Sequence, residues 1–303
     1  MPIASLVLAA AISGVGLQGA SVTTNNDYAA QIETWHQGRV DRLRAPDGWL
    51  SLIGLPWLKP GANTIGSAAD NDVVLGKGPA HLGTVTWAKD GKVSLDLARD
   101  SGAKIDGKAI DHAVLLDDSH PKPTLVSFGT VEFYLISRDP KKGLRVKDTE
   151  APSRTGFTHI ERFPVDPKWR IEAKWVPFEP VHHLQVSTVI GTTENYPVPG
   201  KAVFAIDGHE YTILPVIEVP GDKELFVMFA DRTSGKETYG AARFLYTAMP
   251  KDGKLVIDFN KAYNPPCAFT PYATCPLAPP ENRLNVRVTA GEKKYHGPGA
   301  HAD

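Results

Sequence analysis

The chain has 303 residues, of which 42% are hydrophobic and 22% charged, and its formal net charge is −1 at pH 7. This charge argues against nucleic acid as a partner, because neutralising phosphates requires clustered Lys and Arg. The length suits two compact units rather than one core. Many short runs of Val, Ile, Phe and Thr between Gly and Pro predict turn-rich β structure.

The N-terminus carries an uncharged apolar run, residues 3–17, followed by the small residues Gly19, Ala20 and Ser21. The run is too short to span a bilayer, so we expect a signal peptide at residues 1–21 and a periplasmic or secreted protein. Its cleavage would leave no integral membrane segment. No Lys or Arg precedes the run, which keeps a cytosolic strand or an uncleaved anchor as alternatives.

After this run the sequence predicts one helix and then β structure. Asn25 or Asn26 can cap a helix within residues 22–48 that ends near Pro46. Beyond Trp49 the helical period disappears. We expect strands at residues 84–87, 93–97, 124–128, 131–136, 203–206, 211–217, 225–229, 239–246, 255–259 and 284–289. The pairs Asp90-Gly91, Asp106-Gly107, Asp207-Gly208 and Asp252-Gly253 predict hairpin turns.

The fold class is therefore mostly β. Residues 139–167 are the weakest stretch for strands, being rich in Lys, Arg, Pro and Thr, so we place a boundary near residue 150. This divides the chain into a β-sandwich at 49–150 and a second antiparallel β domain at 151–295. A disordered tail is expected at 296–303.

Residues 61–107 resemble a forkhead-associated (FHA) domain. Residues 71–75 fit its Asp-Ile-x-Leu-like strand, His81 fits its buried histidine, and residues 96–107 fit its last segment. The resemblance implies a β-sandwich. The family's phosphate-binding Arg is Ser67 here, however, and its ligand-holding Asn is Ser101. Ser cannot replace the charge-assisted grip of Arg on phosphate, so the sequence argues against a phosphothreonine peptide as partner.

A polar constellation follows in the second half. A turn near Asp252 would place Arg243 opposite Asp258 or Asn260 on neighbouring strands. This pair is either a structural ion pair or part of a site for an anionic or polar ligand. The candidate ligand-binding residues are Tyr239, Arg243, Asp258, Asn260, Asn264, Asn282 and Arg283. The candidate catalytic residues are Asp231, Asp258 and Arg243.

Residues 258–283 form a loop rich in Pro and Asn that contains both cysteines, Cys267 and Cys275. In an oxidising compartment we expect a disulfide between them, which would contribute about 2–3 kcal/mol by constraining the unfolded chain. Two thiols at this spacing do not match a zinc site, and no His lies in the segment to activate a nucleophilic thiol. We expect no metal and no cofactor.

Several segments together resemble the domain-of-unknown-function family 1684. These segments are residues 49–61, 163–166, 231–245, and the Cys-containing stretch 258–284. The resemblance implies that Arg243, Asp258 and residues 267–283 belong to one fold, and it supplies no activity.

Three functions remain open from the sequence. The first is a binding protein that holds a small anionic or polar ligand in the second domain. The second is a hydrolase that uses Asp231 or Asp258 as general base, with Arg243 stabilising developing negative charge. The third is a structural envelope protein without a ligand.

Overall fold

The computed structural model of the protein describes residues 25–300. The predicted signal peptide, residues 1–21, lies outside this range. The helices are α1 (Asn25–Arg44) and α2 (Pro152–Thr155). Short 3-10 turns occupy Trp49–Ser51, Pro167–Trp169, Phe259–Lys261, Pro266–Ala268 and Pro280–Asn282. No helix within the described range is both long and apolar enough to cross a bilayer.

Sixteen strands make up most of the ordered structure between residues 25 and 300, which confirms the mostly β fold class. In the first half they are β1 (Leu52–Gly54), β2 (Gly61–Gly66), β3 (Val73–Val74), β4 (Gly83–Trp87), β5 (Val93–Leu97), β6 (Lys104–Ile105), β7 (His112–Val114), β8 (Val126–Phe128), β9 (Val131–Arg138) and β10 (Lys141–Asp148). In the second half they are β11 (Arg170–Ser187), β12 (Thr193–Ile206), β13 (His209–Ile213), β14 (Glu224–Phe229), β15 (Arg243–Ala248) and β16 (Lys254–Asp258).

The first half consists of two five-stranded sheets, ordered β1-β10-β9-β8-β6 and β3-β2-β4-β5-β7. Alternate residues of both sheets point into one shared core, in which Val85 and Leu95 of one sheet join Phe133 and Val146 of the other. This is the packing of a β-sandwich. His81 differs from the FHA-like expectation, because it is exposed rather than buried.

The second half has a four-stranded sheet, β13-β12-β11-β16, and a two-stranded sheet, β14-β15. Strand β14 is buried on both faces, since Val227 and Phe229 enter one core whereas Phe226 and Met228 enter another. Burial on both faces explains its continuous apolar sequence. The turn between β12 and β13 is the predicted Asp207-Gly208 pair, with φ of 49° and 79°.

Helix α1 packs against the second half. One side of the helix carries Val40 and Leu43, which join the core of β14, β15 and the Cys-containing loop. The predicted N-terminal helix is therefore confirmed, and it ends at Arg44, before Pro46. Helix α1 also approaches the first half, since Arg39 and Arg42 border one groove together with Trp49 and Tyr134.

Three predicted features differ from the structure. Strand β10 lies inside the stretch that was expected to be poorest in strands, and β11 was not predicted. The segment 284–289 forms no strand, and a bridge between Ala230 and Arg283 lies just before it. Near the end of the described range, the Ala300 N–H donates to the Gly297 carbonyl at 3.0 Å.

Candidate functional site

A cavity of about 680 Å³ lies where α1, the sandwich and the second half meet. Each of these parts contributes to its walls: Arg39 from α1, Arg145 from β10, Tyr196 from β12, and Tyr263 from the Cys-containing loop. This volume is in the range that holds a small molecule.

Arg145 is the most unusual group in the wall, since it is only 4% exposed and yet forms no ion pair with any residue in the range 25–300. Its Nη atoms donate to the hydroxyls of Tyr134 and Thr274, both at a long 3.4 Å. Its Nε–H has no hydrogen-bond partner. The guanidinium also lies 5.1 Å from the ring centroid of Trp49. Its positive charge is therefore held in place without a compensating anion.

The two other buried or half-buried arginines of the cavity are compensated. Arg39 pairs with the buried Glu292 at 3.3 Å, and Arg138 pairs with Asp118 at 2.8 Å. Burial raises the pKa of Glu292, whereas the charge of Arg39 opposes that shift. Arg145 thus differs from its neighbours in its missing carboxylate.

The cavity also has an acidic wall formed by Glu194 and Glu218. Glu194 accepts a short hydrogen bond from the Tyr196 hydroxyl, and Glu218 accepts one from the Tyr246 hydroxyl. Desolvation raises the pKa of Glu218, and the nearby charges of Asp222 and Glu194 add to the shift, whereas the Tyr246 hydrogen bond opposes it.

Aromatic rings line the space beside this acidic wall. Phe226 and Tyr246 stack with centroids 5.1 Å apart, and Tyr263 lies nearly parallel to Tyr246 at 6.5 Å. Trp35 of α1 extends this aromatic row, 6.4 Å from Tyr263. Desolvation raises the pKa of Tyr246 and of Tyr263 well above the ordinary value, so both hydroxyls stay protonated.

The predicted pairing of Arg243 with Asp258 is wrong. Strand β15 pairs with β14, which places Arg243 opposite Phe229, and β16 pairs with β11, which places Asp258 opposite Arg170. Arg243 instead pairs with Asp231 at 3.1 Å, and both side chains are 0% exposed. Burial lowers the pKa of Arg243, and the charge of Asp231 opposes the shift.

This pair is surrounded by protein. Arg243 also donates to the carbonyls of Val288 and Ala290, and Asp231 accepts from the N–H of Val288 at 2.6 Å and from the Thr233 hydroxyl at 2.8 Å. Both partners anchor the segment after the Cys-containing loop. The site predicted around Arg243 is thus a buried structural ion pair.

Asp258 and Asn260 connect the loop to the N-terminal helix. Asp258 accepts from the Tyr28 hydroxyl at 2.7 Å and caps the turn by accepting from the Asn260 N–H. The Asn260 side chain donates to the Asp166 carbonyl at 2.9 Å. Asp258 borders a second, more open groove with Lys254 and Arg170, apart from the cavity.

Most of the other predicted ligand-binding residues also bind the main chain. The buried Asn264 donates to the Lys293 carbonyl at 2.7 Å, and the Tyr239 hydroxyl donates to the Cys267 carbonyl at 3.2 Å. Asn282 is 0% exposed and binds Leu214 and Met228. Arg283 is exposed and is not among the cavity residues. The structure does not bring these residues together as a ligand site.

The disulfide prediction is also wrong, since Cys267 and Cys275 are free thiols. Both are buried, and the Cys275 sulfur accepts a hydrogen bond from the Cys267 N–H at 3.2 Å. Burial raises the pKa of Cys275 well above the ordinary value, and the neighbouring Cys267 adds to the shift. The loop is held by packing and main-chain hydrogen bonds rather than by a covalent bond.

Thiol titration distinguishes these alternatives. We expect the native protein to react slowly with a thiol reagent, because both thiols are buried and burial raises the pKa of Cys275. After denaturation without reductant, two thiols should react. A count of zero under those conditions would show that the cysteines are oxidised, and would contradict the free-thiol state.

Comparison with known proteins places the second half in a family. Residues 155–293 match the family model described as protein of unknown function (DUF1684). The chain belongs to this family. The matched region contains β11 to β16 and the Cys-containing loop. It therefore supplies one side of the cavity.

Among solved structures, the chain is similar to an uncharacterized protein from Haloarcula marismortui, determined by solution NMR. The two are 31% identical over 45% of this chain and 77% of the other, with a TM-score of 0.39. No curated protein matches the chain. Membership of the DUF1684 family thus supplies relatives without supplying an activity.

The sequence analysis missed Arg145 and the acidic wall. One signal was present: Arg145 interrupts the apolar residues Leu144 and Val146, and a charged residue inside a buried run requires a partner. Tyr263, Thr274 and Cys275 of the Cys-containing loop also line the cavity. Within residues 25–300, no group of His, Cys, Asp or Glu is arranged to hold a metal ion.

Proposed function

We propose that the protein binds a small anionic ligand in the cavity, with Arg145 as the central cation. The observation that carries the proposal is the burial of Arg145 in the cavity wall without a carboxylate partner within the described residues. The ligand class is the one expected from the sequence, but the proposed binding site is at Arg145 instead of Arg243.

Energetic magnitudes support a ligand rather than a purely structural role. Removing a charged group from water costs several kcal/mol after relaxation. The cation–π contact of Arg145 with the Trp49 ring stabilises the buried charge by about 0.5–2 kcal/mol. The two long hydrogen bonds to neutral hydroxyls add little stabilisation. A bound carboxylate or phosphate would offset the remainder, because Arg forms strong charge-assisted hydrogen bonds with such groups.

The hydrolase alternative loses the residues on which it was based. Asp231 and Arg243 are inaccessible to a substrate, since both side chains are 0% exposed. Asp258 is committed to Tyr28 and to the turn that follows it. Placement outside the cytoplasm remains a proposal that rests on the apolar run at residues 3–17.

Replacing Arg145 with Met tests the proposal, because Met keeps much of the apolar stem and removes the charge. Inorganic phosphate and acetate, titrated by calorimetry at constant ionic strength, are expected to bind the Arg145→Met variant about 10- to 100-fold more weakly than the wild type. This range corresponds to about 1.5–3 kcal/mol for hydrogen bonds to a charged group.

Arg283→Met is the control, since Arg283 is an exposed arginine that does not line the cavity. It should bind both anions like the wild type. Equal affinity of wild type and Arg145→Met, or absence of anion binding to the wild type, would overturn the proposed function. Loss of binding in Arg283→Met instead would restore the site expected from the sequence.

A further inference from the structure

Charged groups of opposite sign that form no salt bridge within residues 25–300 line the same cavity. Arg145 lacks an acidic partner, and neither Glu194 nor Glu218 forms an ion pair with a residue in the range 25–300. Glu194 accepts from the Tyr196 hydroxyl and its charge also interacts with that of Arg138, whereas Glu218 accepts from the Tyr246 hydroxyl. Opposite charges within one cavity would attract each other, so their separation requires an explanation.

The charged groups belong to different parts of the fold. Arg145 lies on β10 of the sandwich, whereas Glu194 lies on β12 and Glu218 lies between β13 and β14 of the second half. Each charged group is attached to a rigid strand or held by a neighbouring tyrosine. The cavity therefore presents a fixed positive site and a fixed negative site to its contents.

A purely anionic ligand fits only the first of these sites. Its negative charge would be attracted by Arg145 and repelled by the carboxylates of Glu194 and Glu218. The mutual repulsion of these carboxylates with Asp222 is already visible in the raised pKa of Glu218, next to the larger effect of desolvation. A positive group on the ligand would relieve this repulsion.

The aromatic row favours the same positive group. Phe226, Tyr246 and Tyr263 lie beside the acidic wall, and Tyr246 remains 38% exposed. An ammonium ion is attracted both by carboxylates and by the faces of aromatic rings. A site with carboxylates and aromatic rings therefore binds a ligand with an amine more tightly than one with a neutral hydroxyl.

We infer that the ligand is zwitterionic, with a carboxylate or phosphate bound by Arg145 and an ammonium group bound between Glu218 and the ring of Tyr246. This inference rests on the proposed function, since it adds a second contact to the anion site. It names an amino-acid-like class of ligand and assigns Glu218 the role of selecting it.

Calorimetric titration with a graded set of small compounds tests the inference. The zwitterions run from glycine through β-alanine and γ-aminobutyrate to ε-aminocaproate, and each is compared with the acid that lacks the amine, for example butyrate and hexanoate. Butylamine supplies the amine alone. We expect one zwitterion length to bind at least tenfold more tightly than its matched acid, because only that length reaches both walls.

Glu218→Gln should remove most of this tenfold advantage and leave the affinity for the matched acid unchanged or slightly increased. Glu281→Gln, an exposed glutamate outside the cavity, is the control and should keep the advantage. Arg145→Met should weaken binding of the zwitterion and of the acid alike.

The outcomes separate the two proposals. If acids bind in an Arg145-dependent manner and no zwitterion of any length gains over its matched acid, the zwitterion inference is wrong and the anion site remains. If the zwitterion advantage persists in Glu218→Gln, the assignment of Glu218 is wrong. If no compound or inorganic anion binds the wild type, both the inference and the proposed function fail.

Discussion

Replacing Asp231 with Asn is expected to lower the free energy of unfolding by about 3–5 kcal/mol, because the change leaves Arg243 as an unpaired charge in the protein interior. Both side chains of this pair are 0% exposed, so water cannot take over the lost interaction. The second oxygen of Asp231 also accepts from the Val288 N–H, and an amide nitrogen at that position could not do so. Urea-induced unfolding, followed by circular dichroism, measures the change.

Two controls accompany this measurement. Glu172→Gln removes the exposed ion pair with Lys254 and is expected to change stability by no more than about 0.5 kcal/mol. The double variant Asp231→Leu, Arg243→Met removes both charges and should be more stable than Asp231→Asn, since no charge remains buried without a partner. Equal stability of Asp231→Asn and Glu172→Gln would contradict the structural role of this pair.

Replacing Asn282 with Ala should lower the free energy of unfolding by about 3–5 kcal/mol. The Asn282 side chain accepts from the Leu214 N–H at 2.8 Å and donates to the carbonyls of Leu214 and Met228 at 3.1 and 3.0 Å. Its removal leaves the buried Met228 carbonyl and the part-buried N–H and carbonyl of Leu214 without this partner, at a cost of about 1–3 kcal/mol for each group that stays unsatisfied. The amide thus ties the loop end to two segments of the second half.

Asn285 offers a matched comparison three residues later. It is exposed, and its side-chain oxygen accepts from Arg232 at 2.7 Å. Asn285→Ala is expected to cost less than about 1 kcal/mol, because solvent replaces the lost hydrogen bond. Thermal and urea unfolding of the two variants should differ clearly. Similar losses for both would mean that the three contacts of Asn282 contribute little.

The stabilising role of these residues explains why sequence reasoning selected them. Asp231, Asn264 and Asn282 lie outside the strands and Arg243 is the first residue of β15, and ligand-binding residues are also found mostly on loops. In this fold the same groups satisfy main-chain donors and acceptors around a loop that has little regular structure. Residue type therefore indicated importance without distinguishing a structural from a binding role.

Local sequence rules predicted the elements that depend on neighbours along the chain. The helix that ends before Pro46, the Asp207-Gly208 turn and strand β5 all follow from short-range conformational preferences. The long strand β11 was missed because much of it is exposed and it contains prolines, so it lacks the apolar alternation of a buried strand.

The sequence by itself determined that this is a mostly β protein with an N-terminal helix. Only the tertiary structure decided which charges meet. The partner of Arg243 is Asp231 rather than Asp258, because β15 pairs with β14 and not with β16. Arg145 and Glu218 are more than 70 residues apart in the sequence and line one cavity in the fold. Strand pairing and sheet packing determine which distant residues come into contact, and no local sequence pattern specifies these contacts.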